Sequence, residues 1–264
     1  MHIIVCVKEV PDPRHLSKIK IDLLTMTIKR EGIPTITNPL DEHALEEGLR
    51  LKETFGGKVS VLSMCPPHGE KTCREAMAMG ADEAILLCDP AFAGADTLAT
   101  AYTLSMAIKK LEPFDLILCG NETIDGGTAQ VPTQLAEFLG LPHITRVIRI
   151  EPKEDGWLRV ERSIENGRML VEVELRSVLA VTKDINTPRL PTAHGIMRSY
   201  EEEVKIWTAE DIRADKRKIG LLGSPTQVKE IYTSEIRRRG EMLRGRSEEA
   251  ARLLIQRLHE LGAI

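Results

Sequence analysis

Short apolar runs at residues 2–7, 58–64, 83–88 and 115–119 alternate with segments of helical periodicity, and this alternation constrains the fold more than any other feature of the chain. In the first helical segment, residues 41–54 (DEHALEEGLRLKET), Ala44, Leu45 and Leu49 share one side. Asp41 and Glu42 fall in its first turn, where carboxylates suit the helix dipole. Gly56 and Gly57 stop it. Residues 70–79 form a second helix ending at Gly80, and residues 95–110 a third, opened by Asp96 and Thr97 and broken by Pro113. A fourth occupies 133–139, within an amphipathic stretch expected to start near Thr128. Strand–helix–strand alternation predicts a parallel sheet covered on both faces. Right-handed crossovers then put the loops after the strands on one edge, where ligands bind near the topological switch point. Those loops are residues 8–12, 65–69, 89–96 and 120–128.

After Pro142 the pattern changes. Residues 147–150, 158–163 and 169–175 read as strands separated by turns at 151–156 and 165–167, a small antiparallel extension closed by a last strand at 177–183. From Ile185 the chain reads as irregular, and the polar stretch from Glu201 to Ser224 reads as an arm. Residues 236–246 are basic. Residues 247–262 form a terminal amphipathic helix with Ser247 as N-cap and an apolar stripe of Leu254, Leu258 and Leu261. The expected fold is therefore α/β, with a parallel, Rossmann-like sheet, helices on both faces, a small antiparallel extension, and a C-terminal arm and helix. The expected division is an α/β domain at 1–185 and an arm with helix at 186–264.

Composition excludes several functions. A net charge of −4 offers no basic field for nucleic acid, and aromatics at 3% are too few for base stacking. The N-terminal apolar run is about five residues, too short for a signal sequence or a membrane segment. Cys6, Cys65, Cys73, Cys88 and Cys119 make an odd, irregular set without the close pairing of a zinc or iron–sulfur site, so no metal is expected. This usage points to a reducing cytoplasm. No Ser–His–Asp, Cys–His or paired-carboxylate spacing stands out, so chemistry here requires a cofactor.

The candidate site centres on residues 116–142, where LILCG leads into NETIDGGTAQVP and then a helix. Glycines permit close approach, hydroxyls donate, and a helix N-terminus favours an anion. The spacing matches neither G-x-x-x-x-G-K-[ST] nor G-x-G-x-x-G. Asn38, Pro39, Leu40 and Asp41 open the first helix and read either as a helix start or as an adenine or ribose contact. Asp96 and Thr97 read either as the cap of the third helix or as a diphosphate contact. Lys8 and Arg162 read either as solvated cations or as ligand contacts. A nucleotide hydrolase would want a Gly-rich loop after the first strand, and Lys8-Glu9-Val10-Pro11-Asp12 is not one.

The chain resembles the beta subunit of electron transfer flavoproteins. The resemblance rests on VCVKEVPDP (5–13), NPLDEHALEEGLRLKE (38–53), AMAMGADEAILL (76–87), FAGADTLATAYTLSMAIKK (92–110), LILCGNETIDGGTAQV (116–131), VERSIENG (160–167) and INTPR (185–189). It implies pairing with a flavin-binding alpha subunit, and an adenine nucleotide surrounded by Cys6, Asn38, Pro39, Leu40, Asp41 and Met64. Gly120, Asn121, Glu122, Thr123, Ile124, Asp125, Gly126, Gly127, Thr128, Ala129, Gln130 and Val131 would complete the surround. That nucleotide is AMP in the single-flavin branch, which serves acyl-CoA dehydrogenases or other flavin dehydrogenases. It is FAD in the bifurcating branch, which takes hydride from NADH and feeds a ferredoxin-like acceptor. The A-G-A-D-T and D-G-x-T-A-Q-V segments resemble the FAD branch and would set Asp96, Thr97, Thr128, Gln130 and Val131 near the diphosphate or ribose. Gly127 and Pro132-Thr133 depart from that pattern, and Ala193 stands where many members expose a Leu to a dehydrogenase.

Overall fold

The computed structural model describes residues 1–18, 20–22, 27–29, 34–153, 156–229 and 240–264. Residues 154–155 of the expected turn and 236–239 of the basic segment lie outside them. The chain divides into two compact units, residues 1–229 and 230–264.

In chain order the first unit contains β1 (His2–Val7), β2 (Glu9–Pro11), β3 (Lys20–Asp22), β4 (Thr27–Lys29), β5 (Thr35–Thr37), α1 (Pro39–Phe55) and β6 (Lys58–Met64). It continues with α2 (Glu70–Met79), β7 (Glu83–Leu87), α3 (Thr97–Lys110), β8 (Leu116–Gly120) and α4 (Val131–Leu139). β9 (His143–Pro152), β10 (Trp157–Ile164), β11 (Gly167–Glu174), β12 (Ser177–Val181), α5 (Ala193–Glu201) and β13 (Lys205–Trp207) complete it. The second unit contains α6 (Ser247–Glu260).

A nine-stranded sheet runs in the order β11-β10-β9-β12-β8-β1-β6-β7-β13. From β9 to β13 neighbouring strands pair in parallel, and β10 and β11 add the antiparallel extension beyond β9. β1 shows why continuous apolar runs are needed here. Ile3, Val5 and Val7 face a core shared with Ala44, Leu45 and Leu49 of α1 and with Cys73 and Met77 of α2. Ile4 and Cys6 face the opposite core, with Leu104 and Ile108 of α3 and Leu135 of α4. A strand buried on both faces carries no polar side, hence the unbroken pattern. The chain leaves β1 toward β6 and β7 with α1 and α2 on one face, then returns to β8 on the other side of β1 with α3 and α4 on the other face. The switch point lies between β1 and β8.

Several sequence expectations need correction. The last strand is not the end of the antiparallel extension: β12 is inserted in parallel between β9 and β8. The loop after β1 forms β2, paired antiparallel with β5. Residues after Ile185 are not irregular throughout, since α5 forms from Ala193, with Thr192 Oγ1 accepting from the Gly195 N–H at 2.9 Å. The stretch to Ser224 is not an arm: β13 pairs with β7, and Val204, Ala209, Ile212 and Ile219 are buried. In the second unit Arg246, not Ser247, is the N-cap of α6, and Glu249 accepts from the Arg246 N–H at 3.2 Å.

Segment 185–189 is fastened to α1. Asn186 donates to the His43 carbonyl and to Glu47 Oε2, each at 3.0 Å. Arg189 donates to Glu46 at 2.8 Å and pairs with Glu53. Burial raises the Glu46 carboxyl, but Arg189 and Arg50 outweigh it and hold the group below its ordinary value.

Candidate functional site

At the switch point, the ends of two strands are tied to the first turn of one helix. Asp41, 4% exposed, accepts the Lys8 N–H at 2.8 Å and the Gly120 N–H at 3.1 Å, so one carboxylate fastens the ends of β1 and β8. Burial raises this carboxyl to about 7 against the pull of those hydrogen bonds. Gly120 is required by the approach: a Cβ there would lie 2.3 Å from Asp41 Oδ1 and 2.9 Å from the Leu40 carbonyl carbon.

Asn38 is fully buried and reads the loop that follows β8. Its Nδ2 donates to the Glu122 carbonyl at 3.0 Å, and its Oδ1 accepts from the Ile124 N–H at 3.2 Å. Lys8 Nζ pairs with Asp125 at 2.7 Å. Burial opposes ionisation of Asp125, but Lys8 and Thr123 outweigh it and lower the carboxyl. The Asn121 N–H reaches Val181 O of β12 at 2.8 Å, while Asn121 Oδ1 accepts from Arg146 N at 2.9 Å.

Beyond Asp125 the loop is open. Gly126, Gly127, Thr128 and Gln130 are exposed. Gly127 takes φ +57°, which costs glycine little, but Ala129 takes φ +53°, a left-handed conformation that a residue with a Cβ adopts at a cost of order 1–3 kcal/mol. α4 begins at Val131 rather than near Thr128, with Pro132 in its first turn. Thr97 Oγ1 donates to Gln130 Oε1 at 3.0 Å, joining the N-termini of α3 and α4. The first N–H groups of both helices lack intrahelical acceptors and carry the positive end of the dipole.

The residues singled out in the sequence thus fall on one sheet edge. Asn38, Asp41, Gly120, Glu122 and Ile124 are hydrogen-bonded together, and Thr97 with Gln130 forms a second cluster. Cys6 and Cys119 are cross-strand neighbours beneath the rim. The Cys6 thiol and burial push the Cys119 thiol well above its ordinary range. Met64 ends β6 and packs on the same core as Cys6. Asp96 is an N-cap: its Oδ1 accepts from Leu98 N and Ala99 N at 3.0 Å, and its Oδ2 accepts from Thr226 Oγ1 at 2.7 Å. Arg162 donates to Thr145 Oγ1 at 3.0 Å. The Ser224 and Thr226 contacts to Asp96, and the Lys8–Asp125 pair, join residues far apart in sequence without any spacing signal.

This rim suits a phosphate-bearing group. Residues 120–131 contain no Lys or Arg, and Lys8 is already engaged by Asp125. Attraction for an anion therefore comes from amides, hydroxyls and the N-terminus of α4, since the Asp96 carboxylate already takes the Leu98 and Ala99 amides of α3.

Comparison with known proteins decides the relationship. The Electron transfer flavoprotein domain family matches residues 25–212. The chain belongs to the electron transfer flavoprotein family. It is 48% identical over 260 residues to the electron transfer flavoprotein subunit beta of Thermoanaerobacterium thermosaccharolyticum, covering 98% of each chain. It is 44% identical to the caffeyl-CoA reductase-Etf complex subunit CarD of Acetobacterium woodii, again over 98% of each. Protein FixA of Azotobacter vinelandii is 39% identical over 96% of this chain and 92% of its own. Electron transfer flavoprotein beta subunits are thus the type this chain represents, and its function lies in electron transfer. Among the described residues no helix is long and apolar enough to cross a membrane.

Proposed function

We propose that this chain is the beta subunit of a heterodimeric electron carrier, holding FAD on the rim at the β1/β8 switch point and exchanging electrons with an alpha-subunit flavin. The observation that carries the reading is the open half of that rim, where Thr97, residues 126–130 and the start of α4 present donors with no competing cation. In this reading Asn38 to Asp41 and Gly120 to Asp125 position the loop for the adenosine moiety. Cys6 and Met64 pack beneath it. Thr97, Thr128, Gln130 and Val131 face the diphosphate or ribose, and Asp96 acts by holding the start of α3 in place. FAD, when bound, accepts hydride and passes single electrons. This chain's residues bind it, orient it and keep added cations away from it.

Electrons would enter from NADH or from a flavin dehydrogenase of the acyl-CoA type, and leave toward the alpha subunit and a low-potential ferredoxin-like acceptor. The Acetobacterium relative is a caffeyl-CoA reductase-Etf complex subunit, which supports a partner acting on a CoA thioester. Residues 186–264 would supply docking surface for the alpha subunit, with the Leu254, Leu258 and Leu261 stripe of α6 as its apolar face.

One observation favours AMP as the alternative ligand. Asp96 is already engaged by α3 and Thr226, and AMP needs only the Asn38 and 120–131 elements. Co-purification with the alpha subunit, followed by release and quantification of nucleotides, separates the two. Two FAD per heterodimer supports the FAD reading, one FAD plus one AMP supports the alternative, and neither nucleotide rejects both.

A further inference from the structure

A second constellation stands at the same sheet edge and uses none of the residues assigned to the nucleotide. Cys65 directly follows β6, anchored by its N–H to Leu87 O at 3.2 Å. Pro66 and Pro67 then turn the chain tightly, with the Gly69 N–H returning to Pro66 O at 2.9 Å, and the turn carries His68 back over Cys65. Gly69 makes this closure possible: a Cβ there would stand 2.7 Å from Cys65 Sγ and 2.5 Å from its Cβ. From the other side β2 delivers Glu9.

The three donor atoms form a small triangle. Glu9 Oε2 lies 3.2 Å from Cys65 Sγ and 2.9 Å from His68 Nε2, and Sγ and Nε2 are 3.8 Å apart. Around a tetrahedral zinc ion with bonds of about 2.0–2.3 Å, such donors stand about 3.3–3.6 Å from one another. The triangle's edges of 2.9, 3.2 and 3.8 Å straddle that range. Its chemistry also fits: thiolate and imidazole select a borderline-soft ion, and a carboxylate lowers the net charge of the complex.

Burial supplies an independent argument. Glu9 is 3% exposed, and among the described residues its one ion-pair partner is His68. A buried carboxylate needs pairing or a metal. Its second oxygen, Oε1, accepts Thr35 Oγ1 at 2.6 Å, which fixes the carboxylate orientation as outer-shell partners of metal ligands do. The His68 side chain is 49% exposed, so an ion can arrive from solvent on the imidazole side.

We propose that Glu9, Cys65 and His68 form a three-ligand Zn2+ site with its fourth position open to water. On binding, the ion replaces the Cys65 thiol proton, which leaves to solvent, and takes the Nε2 lone pair of His68 and an oxygen of Glu9. The ion then clips β2 to the turn that precedes α2, next to the end of β6.

The test uses the full-length chain, reduced and stripped with chelator. It is titrated with Zn2+ against a chromophoric chelator, and with Co2+ as a spectroscopic reporter. One equivalent should bind, the Co2+ form should show thiolate-to-metal charge transfer with the intense visible bands of a tetrahedral ion, and Zn2+ should raise the Tm. Cys65→Ser should remove the charge-transfer band. His68→Ala should weaken binding by at least ~10-fold, with the Tm of the metal-free variant showing that it is folded. Cys88→Ser should bind as the unaltered chain does. Absence of saturable one-to-one binding, charge transfer that survives in Cys65→Ser, or unaltered affinity in His68→Ala would each overturn the proposal.

Discussion

The rim at the switch point has two unlike halves. Between Asn38 and Asp125 nearly every polar group named is paired within the protein: Asp41 with two strand-end amides, Asn38 with the Glu122 carbonyl and Ile124 amide, Lys8 with Asp125. From Gly126 to Thr128 and at Gln130 the chain is exposed, the backbone is left-handed at Gly127 and Ala129, and Thr97 meets Gln130 across the gap. The first half is a frame, and the second is where the proposed nucleotide would be received. A buried amide or carboxylate must be satisfied internally, so the frame has no capacity left, while the open half retains donors that cost nothing to leave in water.

The strongest way to break this division is at Asn38. Asn38→Ala removes two hydrogen bonds from a fully buried side chain, to the Glu122 carbonyl and from the Ile124 N–H, each worth about 0.5–1.5 kcal/mol net. Urea unfolding should show a loss of about 1–3 kcal/mol together with loss of nucleotide. An unchanged midpoint would mean that the loop does not depend on this side chain.

Gly120→Ala comes next, because its Cβ meets Asp41 and the Leu40 backbone; about 1–3 kcal/mol of destabilisation is expected from overpacking. Urea midpoints measure it, and a neutral result would show that α1 can move away from β8.

Asp41 adds a pH signature. Its folded carboxyl is raised to about 7 from an ordinary 3.8, so its contribution to stability is fully present below about 4 and is lost as pH rises through 7. Subtracting the Asp41→Asn profile from that of the unaltered chain should expose this decline between those limits, and a flat difference would contradict the assignment.

Thr97→Val sharpens the contrast from the other half. Stability should stay within about 0.5 kcal/mol, as for an exposed side chain. Affinity of the complex for its nucleotide should fall about tenfold, the worth of one hydrogen bond to a charged group. Equal affinity would remove Thr97 from the ligand. The smallest effect belongs to Lys8→Met, which breaks a partly exposed ion pair and should cost under about 1 kcal/mol in thermal unfolding.

How much of this was legible in the sequence follows from burial. β1, β6, β7 and β8 are covered on both faces, so β1, β7 and β8 are nearly continuous apolar runs that stand out against their neighbours, while β6 interleaves the buried Ser60 and Ser63 with Val59, Val61 and Leu62. β12 has the same character and was found as a strand, but its place between β8 and β9 depends on pairing that no local pattern encodes. β13, three residues at the sheet edge with Lys205 and Ile206 exposed, offers too short a pattern to separate from a loop. The residues of the 120–131 loop are recognisable as a group, yet α4 starts at Val131 rather than near Thr128, because Gly127 and Ala129 take left-handed conformations that a right-handed helix excludes. Glu9, Cys65 and His68 could not be associated, since the first is carried to the others by the strand order alone.

Amides of the open half of the rim are proposed to hold the phosphate of an adenine nucleotide. A crystal structure of the purified complex with its alpha subunit tests this most directly. Phosphate oxygens are expected within hydrogen-bonding distance of backbone N–H groups between Gly126 and Val131, with Thr97 at their side. Density for the nucleotide elsewhere on this chain, or a rim closed by side chains with no phosphate in it, would contradict that placement.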